Sequence, residues 1–272
     1  MTNMQERSDI PVVILCGGKG VRIRQVSELL PKPLLRIGDH PILWHIMMIY
    51  AQQGFRKFIL CLGYKGDEIR DYFHNYRSRT SDVTLDFSNG SSLPEITYHD
   101  RGLPDPGWTI TLAETGPETG TGGRLARVAK YIDNDEFLFT YGDGVGDIDI
   151  AASLTRHREM NASVTVTGVH PPTRFGHIEI EDNHILDFAE KLQASEGYIS
   201  GGFMVMNKDF IPRYLDEGEN CILESQALRN VAREGGMAVY RHHGFWMPMD
   251  NHMDFENLNN LWANDEAPWK IW

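Results

Sequence analysis

The sequence predicts an α/β fold in which helices flank a parallel sheet. Residues 12–15 form an apolar run with the length of a short buried strand, and a glycine-rich turn follows it. Residues 41–54, 57–62 and 66–76 then alternate helical and strand-like patterns, as in proteins with parallel sheets. Ligands of such proteins bind at the carboxyl ends of the strands. The glycine-rich turn therefore lies where a binding site is expected.

The composition of the chain excludes several classes of protein. The 272 residues contain 26 Lys plus Arg and 38 Asp plus Glu, which gives a formal net charge of -12. This acidic balance disfavours nucleic-acid binding but allows a local cationic pocket. The three cysteines are far apart and lie among apolar neighbours, which is typical of reduced core residues. No signal-peptide pattern and no apolar run of about 18 residues occurs, so we expect a soluble, cytoplasmic protein without a membrane partner.

The glycine-rich turn is the first candidate site. Gly17, Gly18 and Gly20 would let backbone N–H groups approach an anion, while Arg22 and Lys32 carry charges suited to phosphate oxygens. An ordinary strand-to-helix turn would explain the glycines equally well.

The middle of the chain predicts a second group of elements. Residues 81–120 contain short β-like runs separated by Gly, Pro and Ser, which indicates an insertion of hairpins. Its turns are candidates for contacts with a partner chain or are ordinary solvated turns. Residues 121–131 predict a helix whose first N–H groups could face the ligand, although Thr121 could instead cap the helix.

Two aspartates follow predicted extended segments. Asp143 comes directly after the apolar strand 136–140, and glycines flank it, so it could bind a divalent cation beside phosphates or cap the turn. Asp250 lies at a second turn, before the closing helix 251–262.

The second half of the chain continues the sheet. Residues 162–169 and 199–206 predict strands, and residues 177–180 and 184–189 predict a hairpin. Lys191 follows that hairpin and would alone suggest only solvated charge, but the next strand contains Ser200, Gly201 and Gly202, where backbone can approach a ligand. Residues 207–215 and 221–233 predict helices, and the aromatic tail 267–272 is expected to dock on a surface.

We expect one domain over residues 1–272, with the insertion at about 81–120 and a C-terminal helical and extended appendage at about 207–272.

The glycine-rich turn is not a dinucleotide-binding fingerprint, because Ile23 occupies the position of the third glycine. It is not a Walker A loop either, because Lys32 comes too late after the glycines. The histidines lack the HExxH spacing of zinc proteases.

Six ordered segments carry a family resemblance: GGKGVRIRQVSELLPKP, HPILWHIMMIY, TGGRL, YGDGV, RFG and FWMPMDN. Together they resemble sugar-1-phosphate nucleotidylyltransferases, and within that family the members that use CTP. The resemblance implies a Rossmann-like mixed, mainly parallel sheet. It also implies Mg²⁺ as cofactor and transfer of a cytidylyl group from CTP to a sugar 1-phosphate, with glucose 1-phosphate as the expected acceptor and with release of pyrophosphate.

The resemblance also assigns roles to residues. Arg22 and Lys32 would hold the triphosphate, and Asp143 and Asp250 would bind the metal. The residues assigned to the nucleotide are Gly17, Gly18, Gly20, Val21, Thr121, Gly122, Gly123 and Arg124. Those assigned to the sugar phosphate are Lys191, Ser200, Gly201 and Gly202. The family and the hairpin insertion together suggest a homo-oligomer.

The chain departs from the family pattern at four of its positions. Val21 replaces the usual Thr, Lys19 an apolar residue, Leu192 a Pro and Ser200 an Asn. The last two changes lie on the acceptor side and Val21 lies on the nucleotide side, so a different sugar phosphate or pyrimidine nucleotide is an alternative. A metal-dependent glycosyltransferase is disfavoured because Asp143 is not part of an Asp-x-Asp motif, and retention of the charged residues disfavours a non-catalytic nucleotide sensor.

Overall fold

The computed structural model describes residues 4–20, 30–88, 90, 92–99, 107–171, 177–181, 184–189, 197–216 and 218–272. The strands in these residues are β1 (Pro11–Leu15), β2 (Arg36–Ile37), β3 (His40–Pro41), β4 (Lys57–Leu62), β5 (Asp82–Asp86), β6 (Glu95–His99), β7 (Thr109–Glu114), β8 (Glu136–Tyr141), β9 (Gly144–Gly146), β10 (Val164–Val169), β11 (His177–Glu181), β12 (His184–Ala189), β13 (Ile199–Asn207), β14 (Met237–Arg241) and β15 (Trp246–Pro248).

The helices in the same residues are α1 (Met4–Asp9), α2 (Ile42–Gln52), α3 (Gly66–His74), α4 (Tyr76–Thr80), α5 (Thr121–Val128), α6 (Ile150–Glu159), α7 (Phe210–Tyr214), α8 (Leu228–Arg233) and α9 (His252–Ala263). Short 3₁₀ turns occur at Lys32–Leu34 and Ala129–Tyr131, and a π-helical turn at Leu223–Ala227 precedes α8. Within the described ranges, no helix is both long and apolar enough to cross a membrane.

The main sheet contains seven of the described strands in the order β14-β10-β13-β8-β1-β4-β7. β1 pairs in parallel with β4 and β8, β4 with β7, and β10 with β14. β13 runs antiparallel to both β8 and β10. The expected mixed, mainly parallel sheet is thus confirmed.

Strand β1 lies at the centre of the packing. Its five residues are all buried, and successive side chains point to opposite faces of the sheet. Val12 and Ile14 join the apolar layer that contains α2, whereas Val13 and Leu15 join the layer that contains α5. The helices therefore cover both faces of the sheet, and β1 delivers the glycine-rich turn from the centre of the core.

Two strands occupy places that the sequence did not predict. The segment 81–120 does contain a hairpin, β5–β6, but Thr109–Glu114 pairs with β4 at one edge of the main sheet. Likewise Met237–Arg241 pairs with β10 at the other edge. A short apolar run has the same period of two in a hairpin and at a sheet edge, so the pattern alone cannot separate them. The proposed limits of insertion and appendage stay predictions.

The predicted helices of the C-terminal part are shorter than expected. Of residues 207–215 only Phe210–Tyr214 is helical, and residues 221–233 divide into the π-helical turn and α8. The hairpin at 177–189 is present as β11–β12, while its turn lies outside the described residues.

The aromatic tail packs against helix α2, which agrees with the expected docking on a surface. Trp269 is fully buried, and its indole N–H donates to His45 Nδ1 at 3.4 Å. The other ring nitrogen of His45 lies 3.0 Å from the carbonyl oxygen of Ile37. Burial lowers the pKa of His45 to about 4, so the imidazole is neutral in the folded protein.

We predict that the chain loses stability as the pH falls below about 6.5, the ordinary pKa of histidine. The unfolded chain then gains a proton at His45 that the folded chain does not take up until its pKa of about 4. Between pH 6.5 and pH 5 this group lowers the free energy of unfolding by about 2 kcal/mol. Urea unfolding across this range should give a flatter pH dependence for His45→Gln than for wild type, and parallel curves would contradict the prediction.

Candidate active site

A cavity of about 660 Å³ opens at the carboxyl ends of β1 and β8. The predicted site residues that line it are Gly17, Gly18, Gly20, Lys32, Thr121, Arg124, Asp143 and Asp250. A cavity of about 780 Å³ between α6 and β14 contains none of the predicted site residues. Val21, Arg22 and Lys191 lie outside the described residues, so their assigned roles stay predictions.

The three glycines of the turn have three different surroundings. A Cβ at Gly17 would lie 2.1 Å from the Arg124 guanidinium, so this glycine leaves room for that side chain. At Gly18 a Cβ would meet no atom of the described residues within 4 Å, so its backbone lines open space of the cavity. Gly20 has a φ of +57°, in the left-handed region that favours glycine. Of the three, Gly18 leaves the most room for a ligand.

Arg124 is a buried cation, and its guanidinium donates to neutral oxygens of the protein. Nη1 donates to the Leu62 carbonyl at 3.0 Å and to Thr115 Oγ1 at 2.8 Å. Nη2 donates to the carbonyls of Gly17 at 3.1 Å and Pro117 at 3.3 Å. The side chain therefore joins the glycine-rich turn to the segments that follow β4 and β7. A direct contact with the nucleotide, as the resemblance implies, stays a prediction.

Lys32 lies between two carboxylates that are distant in the chain. Its Nζ atom lies 2.7 Å from Asp143 Oδ2 and 2.6 Å from Asp250 Oδ1. The lysine side chain is 11% exposed, whereas the aspartates are exposed to about a third. Burial alone would lower the pKa of Lys32, but the charges and hydrogen bonds of the two carboxylates outweigh it and raise the pKa. Lys32 is therefore a permanent cation at the cavity.

Short elements fix these three residues in place. Lys32 has a proline on each side, Pro31 and Pro33, and it begins the 3₁₀ turn Lys32–Leu34. In this turn the Leu35 N–H donates to the Lys32 carbonyl at 3.0 Å. Proline restricts the backbone on both sides, because its ring fixes φ and biases the residue before it.

The antiparallel pair β9–β15 brings the segment of Asp250 next to that of Asp143, because Pro248 in β15 lies opposite Gly144 in β9. The Met249 N–H donates to the Asp143 carbonyl at 2.8 Å and continues that pairing. A capping box at the start of α9 then holds the turn, because the Asp254 carboxylate accepts from the N–H groups of Asp250 and Asn251. Both carboxylates are consequently held beside the same ammonium group.

The first turn of α5 is occupied by the protein itself. The N–H groups of Gly122 and Gly123 donate to the Cys221 carbonyl at 3.0 and 3.1 Å. A Cβ at Gly122 would lie 2.6 Å from Cys221 Sγ, and one at Gly123 would lie 2.4 Å from the Gly218 carbonyl oxygen. These glycines allow the segment 218–221 to pack closely on the helix, so the expectation that their N–H groups face the ligand is not met.

The glycines at the start of β13 also have close protein neighbours. A Cβ at Gly201 would lie 2.6 Å from a methyl group of Val169, and one at Gly202 would lie 2.5 Å from the ring of Tyr141. The Gly201 carbonyl accepts from the Trp246 indole at 2.9 Å. Ser200 is exposed beside them. Their assignment to the sugar phosphate stays a prediction.

Four further side chains, at the cavity or next to it, were not predicted as site residues. The Lys19 ammonium and the Glu118 carboxylate form an exposed ion pair of 2.7 Å between two segments that line the cavity. Tyr141 lines the cavity and donates a hydrogen bond to Glu224. The strand end before YGDGV could have drawn attention to Tyr141, whereas no local pattern marks Glu118 or Glu224.

A family model described as nucleotidyl transferase matches residues 11–264. The chain belongs to the nucleotidyl transferase family. It is 42% identical over 261 residues to a glucose-1-phosphate cytidylyltransferase of Salmonella typhi, which covers 96% of this chain and 98% of the relative. The family expected from the six sequence segments is thereby confirmed.

Solved structures agree on the fold of this nucleotidyl transferase. The inositol-1-phosphate CTP transferase from T. maritima has a TM-score of 0.62 and 15% identity, covering 96% of each chain. HddC from Yersinia pseudotuberculosis in complex with GMP-PN has a TM-score of 0.62 and 22% identity, covering 93% of this chain and 99% of that one. At this identity the likeness concerns the fold alone.

We predict that Arg124→Lys destabilises the nucleotidyl transferase and weakens nucleotide binding. An ammonium group cannot reproduce the planar fork that serves four acceptors, and each buried acceptor left unpaired costs about 1–3 kcal/mol. The free energy of unfolding should fall by at least about 2 kcal/mol. Chemical unfolding and nucleotide titration measure both effects, with the exposed Arg233→Lys as control. Wild-type behaviour of Arg124→Lys would contradict the assigned role.

Proposed function

We propose that the chain transfers a cytidylyl group from CTP to a sugar 1-phosphate, with glucose 1-phosphate as the acceptor. The observation that carries this proposal is the Lys32 ammonium, held at 2.7 and 2.6 Å from two carboxylates in the wall of the cavity. A cation and two potential metal ligands beside an open glycine backbone suit a triphosphate. The base and the acceptor are proposed from the 42% identity to a glucose-1-phosphate cytidylyltransferase.

The chemistry follows from the charges of the substrates. A phosphate oxygen of the sugar 1-phosphate attacks the α-phosphorus of CTP in line, the new P–O bond forms, and the bond to pyrophosphate breaks. The attacking oxygen is already an anion, so no general base is required. The protein has to bring two polyanions together and to stabilise the negative charge on the oxygens around phosphorus and on the leaving group.

Lys32 is suited to the charge-stabilising role. An ammonium group has three N–H donors, and Asp143 and Asp250 accept two of them. We assign the third donor to a phosphate oxygen of CTP. Because the two carboxylates hold the ammonium in place, little reorganisation is needed when the phosphate arrives. Arg22 and Lys191 keep their proposed roles at the triphosphate and at the sugar phosphate.

The residues present fit a magnesium ion. Asp143 and Asp250 already share one cation, Lys32, so their oxygens converge on one region of positive charge. Among the described residues, no three His, Cys, Asp or Glu side chains gather into a metal site. Mg²⁺ commonly uses one or two carboxylates and completes its shell with substrate phosphates and water, which agrees with two aspartates. When bound, Mg²⁺ would neutralise phosphate charge and favour departure of pyrophosphate.

We further propose that the protein is cytoplasmic and forms a homo-oligomer. Three unpaired cysteines, of which Cys16 and Cys61 are buried, agree with a reducing compartment. The hairpin β5–β6 exposes Leu85 and Ile96, which face each other across the pair, and such apolar surface is suited to a partner chain.

We predict that purified protein with CTP, Mg²⁺ and glucose 1-phosphate releases pyrophosphate and forms CDP-glucose. A panel of CTP, UTP, dTTP and dCTP against several sugar 1-phosphates, with products weighed by mass spectrometry, identifies both substrates. Lys32→Met should lower kcat/KM at least about 100-fold, because it removes a charged donor to the reacting phosphates.

Lys57→Met is the matched control for this experiment, since Lys57 also pairs with an aspartate, Asp133, at 2.6 Å but does not line the cavity. It should retain wild-type turnover. Absence of pyrophosphate release with every pair of substrates would contradict the proposed function.

We also predict that chelation of divalent cations stops turnover and that added Mg²⁺ restores it. Asp143→Asn should raise the Mg²⁺ concentration for half-maximal activity about tenfold or more, because it removes a charged ligand. Titration of activity with Mg²⁺ in metal-free buffer measures this shift. Full turnover in excess chelator would show that the two aspartates serve another purpose.

A further inference from the structure

Two hydroxyl groups in the cavity wall donate hydrogen bonds to the same carboxylate, which does not itself line the cavity. Thr121 Oγ1 donates to Glu224 Oε2 at 2.6 Å, and the Tyr141 hydroxyl donates to Glu224 Oε1. Thr121 and Tyr141 line the cavity, whereas Glu224 is not among the lining residues. Within the part of the chain that the structure describes, the hydrogen bonds of Glu224 to the cavity wall are those with these two side chains.

Thr121 lies on the side of the cavity that we assign to the nucleotide. It is the first residue of α5 and follows the cavity-lining segment 117–120. Its hydroxyl accepts from the Leu223 N–H at 2.9 Å and donates to Glu224, so both interactions fix the orientation of the group. The threonine is thus held by the segment that carries Glu224 and does not merely cap its own helix.

Tyr141 lies on the side of the cavity that we assign to the sugar 1-phosphate. It ends β8, two residues before Asp143, and its ring contacts the backbone of Gly202 in the segment proposed for the sugar phosphate. The ring also makes an edge-to-face contact with Phe139, with centroids 5.4 Å apart. Burial and the nearby Glu224 charge raise the pKa of Tyr141, so the phenol stays protonated and keeps donating to Glu224.

Glu224 occupies an unusual local structure. It lies in the π-helical turn Leu223–Ala227, and such turns are rare and frequently occur at functional sites. The residue is exposed at the surface, where a hydrogen-bonded carboxylate contributes little to folding. Stability alone therefore does not account for a carboxylate that gathers two hydroxyl groups of the cavity wall.

We propose that Glu224 is a positioning residue that fixes Thr121 on the nucleotide side and Tyr141 on the acceptor side relative to each other. It acts through these two side chains and does not touch the reacting phosphates. The inference rests on the proposed transfer reaction, because that reaction assigns one substrate to each side.

The test measures KM for each substrate and kcat in matched variants. Thr121→Val should raise KM for CTP about tenfold and leave KM for the sugar 1-phosphate unchanged, while Tyr141→Phe should do the reverse. Glu224→Gln should raise both KM values about tenfold, because an amide cannot accept two hydroxyl donors as a carboxylate does. Adding Tyr141→Phe to Glu224→Gln should raise KM for the sugar 1-phosphate by less than the product of the two single effects, since both changes act on the hydrogen bond between Tyr141 and Glu224.

Glu234→Gln is the control. Glu234 also accepts from a tyrosine hydroxyl, that of Tyr214 at 2.6 Å, but neither residue lines the cavity. This variant should keep wild-type KM values, and the melting temperatures of Glu224→Gln and Glu234→Gln should agree within about 4 °C.

Two results would overturn the inference. One is unchanged KM values for Glu224→Gln with lower stability, which would show a purely structural role. The other is fully additive losses in the variant that combines Tyr141→Phe with Glu224→Gln, which would show that Tyr141 acts independently of Glu224. The KM pattern is measured with the nucleotide and sugar phosphate that wild type turns over, so failure of CTP as substrate would count against the proposed function and not against this inference.

Discussion

The guanidinium of Arg124 connects the carboxyl ends of three neighbouring strands. It donates to the carbonyl of Leu62 at the end of β4, to Gly17 beyond β1 and to Thr115 beyond β7, and these strands are adjacent in the order β1-β4-β7. A buried cation is costly unless its donors are satisfied, so each of these segments must keep its place for the others to keep theirs. The shape of one side of the cavity depends on this single side chain.

The other side of the cavity depends on the cluster of Lys32, Asp143 and Asp250. Its members come from the 3₁₀ turn Lys32–Leu34, the segment after β8 and the segment after β15, so the cluster forms only when these distant parts of the chain are folded together. The chain as a whole carries a formal charge of -12, yet its proposed substrates are polyanions. The Lys32 ammonium beside the glycine backbone supplies a local positive charge for these substrates, so the net charge of the whole protein does not have to be positive.

The parts that the sequence predicts well are those with local signals. Residues 12–15 and 58–62 are continuous apolar runs, and Asp143 could be placed near the glycine-rich turn because both follow strands of one parallel sheet. The edge positions of Thr109–Glu114 and Met237–Arg241 carry no such signal, since pairing partners are chosen by tertiary contacts. The same limit applies to Glu224, whose partners Thr121 and Tyr141 lie 103 and 83 positions away.

The glycines show why a pattern of residue types is an incomplete guide to a site. Glycine permits close approach, but the sequence does not say what approaches. At Gly17 it is the Arg124 guanidinium, at Gly122 the thiol of Cys221, and at Gly202 the ring of Tyr141, whereas Gly18 faces open space. These three glycines therefore allow protein segments to pack closely against one another around the cavity. Ligand contact by backbone is best supported at Gly18, because among the described residues no atom occupies the space that a side chain there would take.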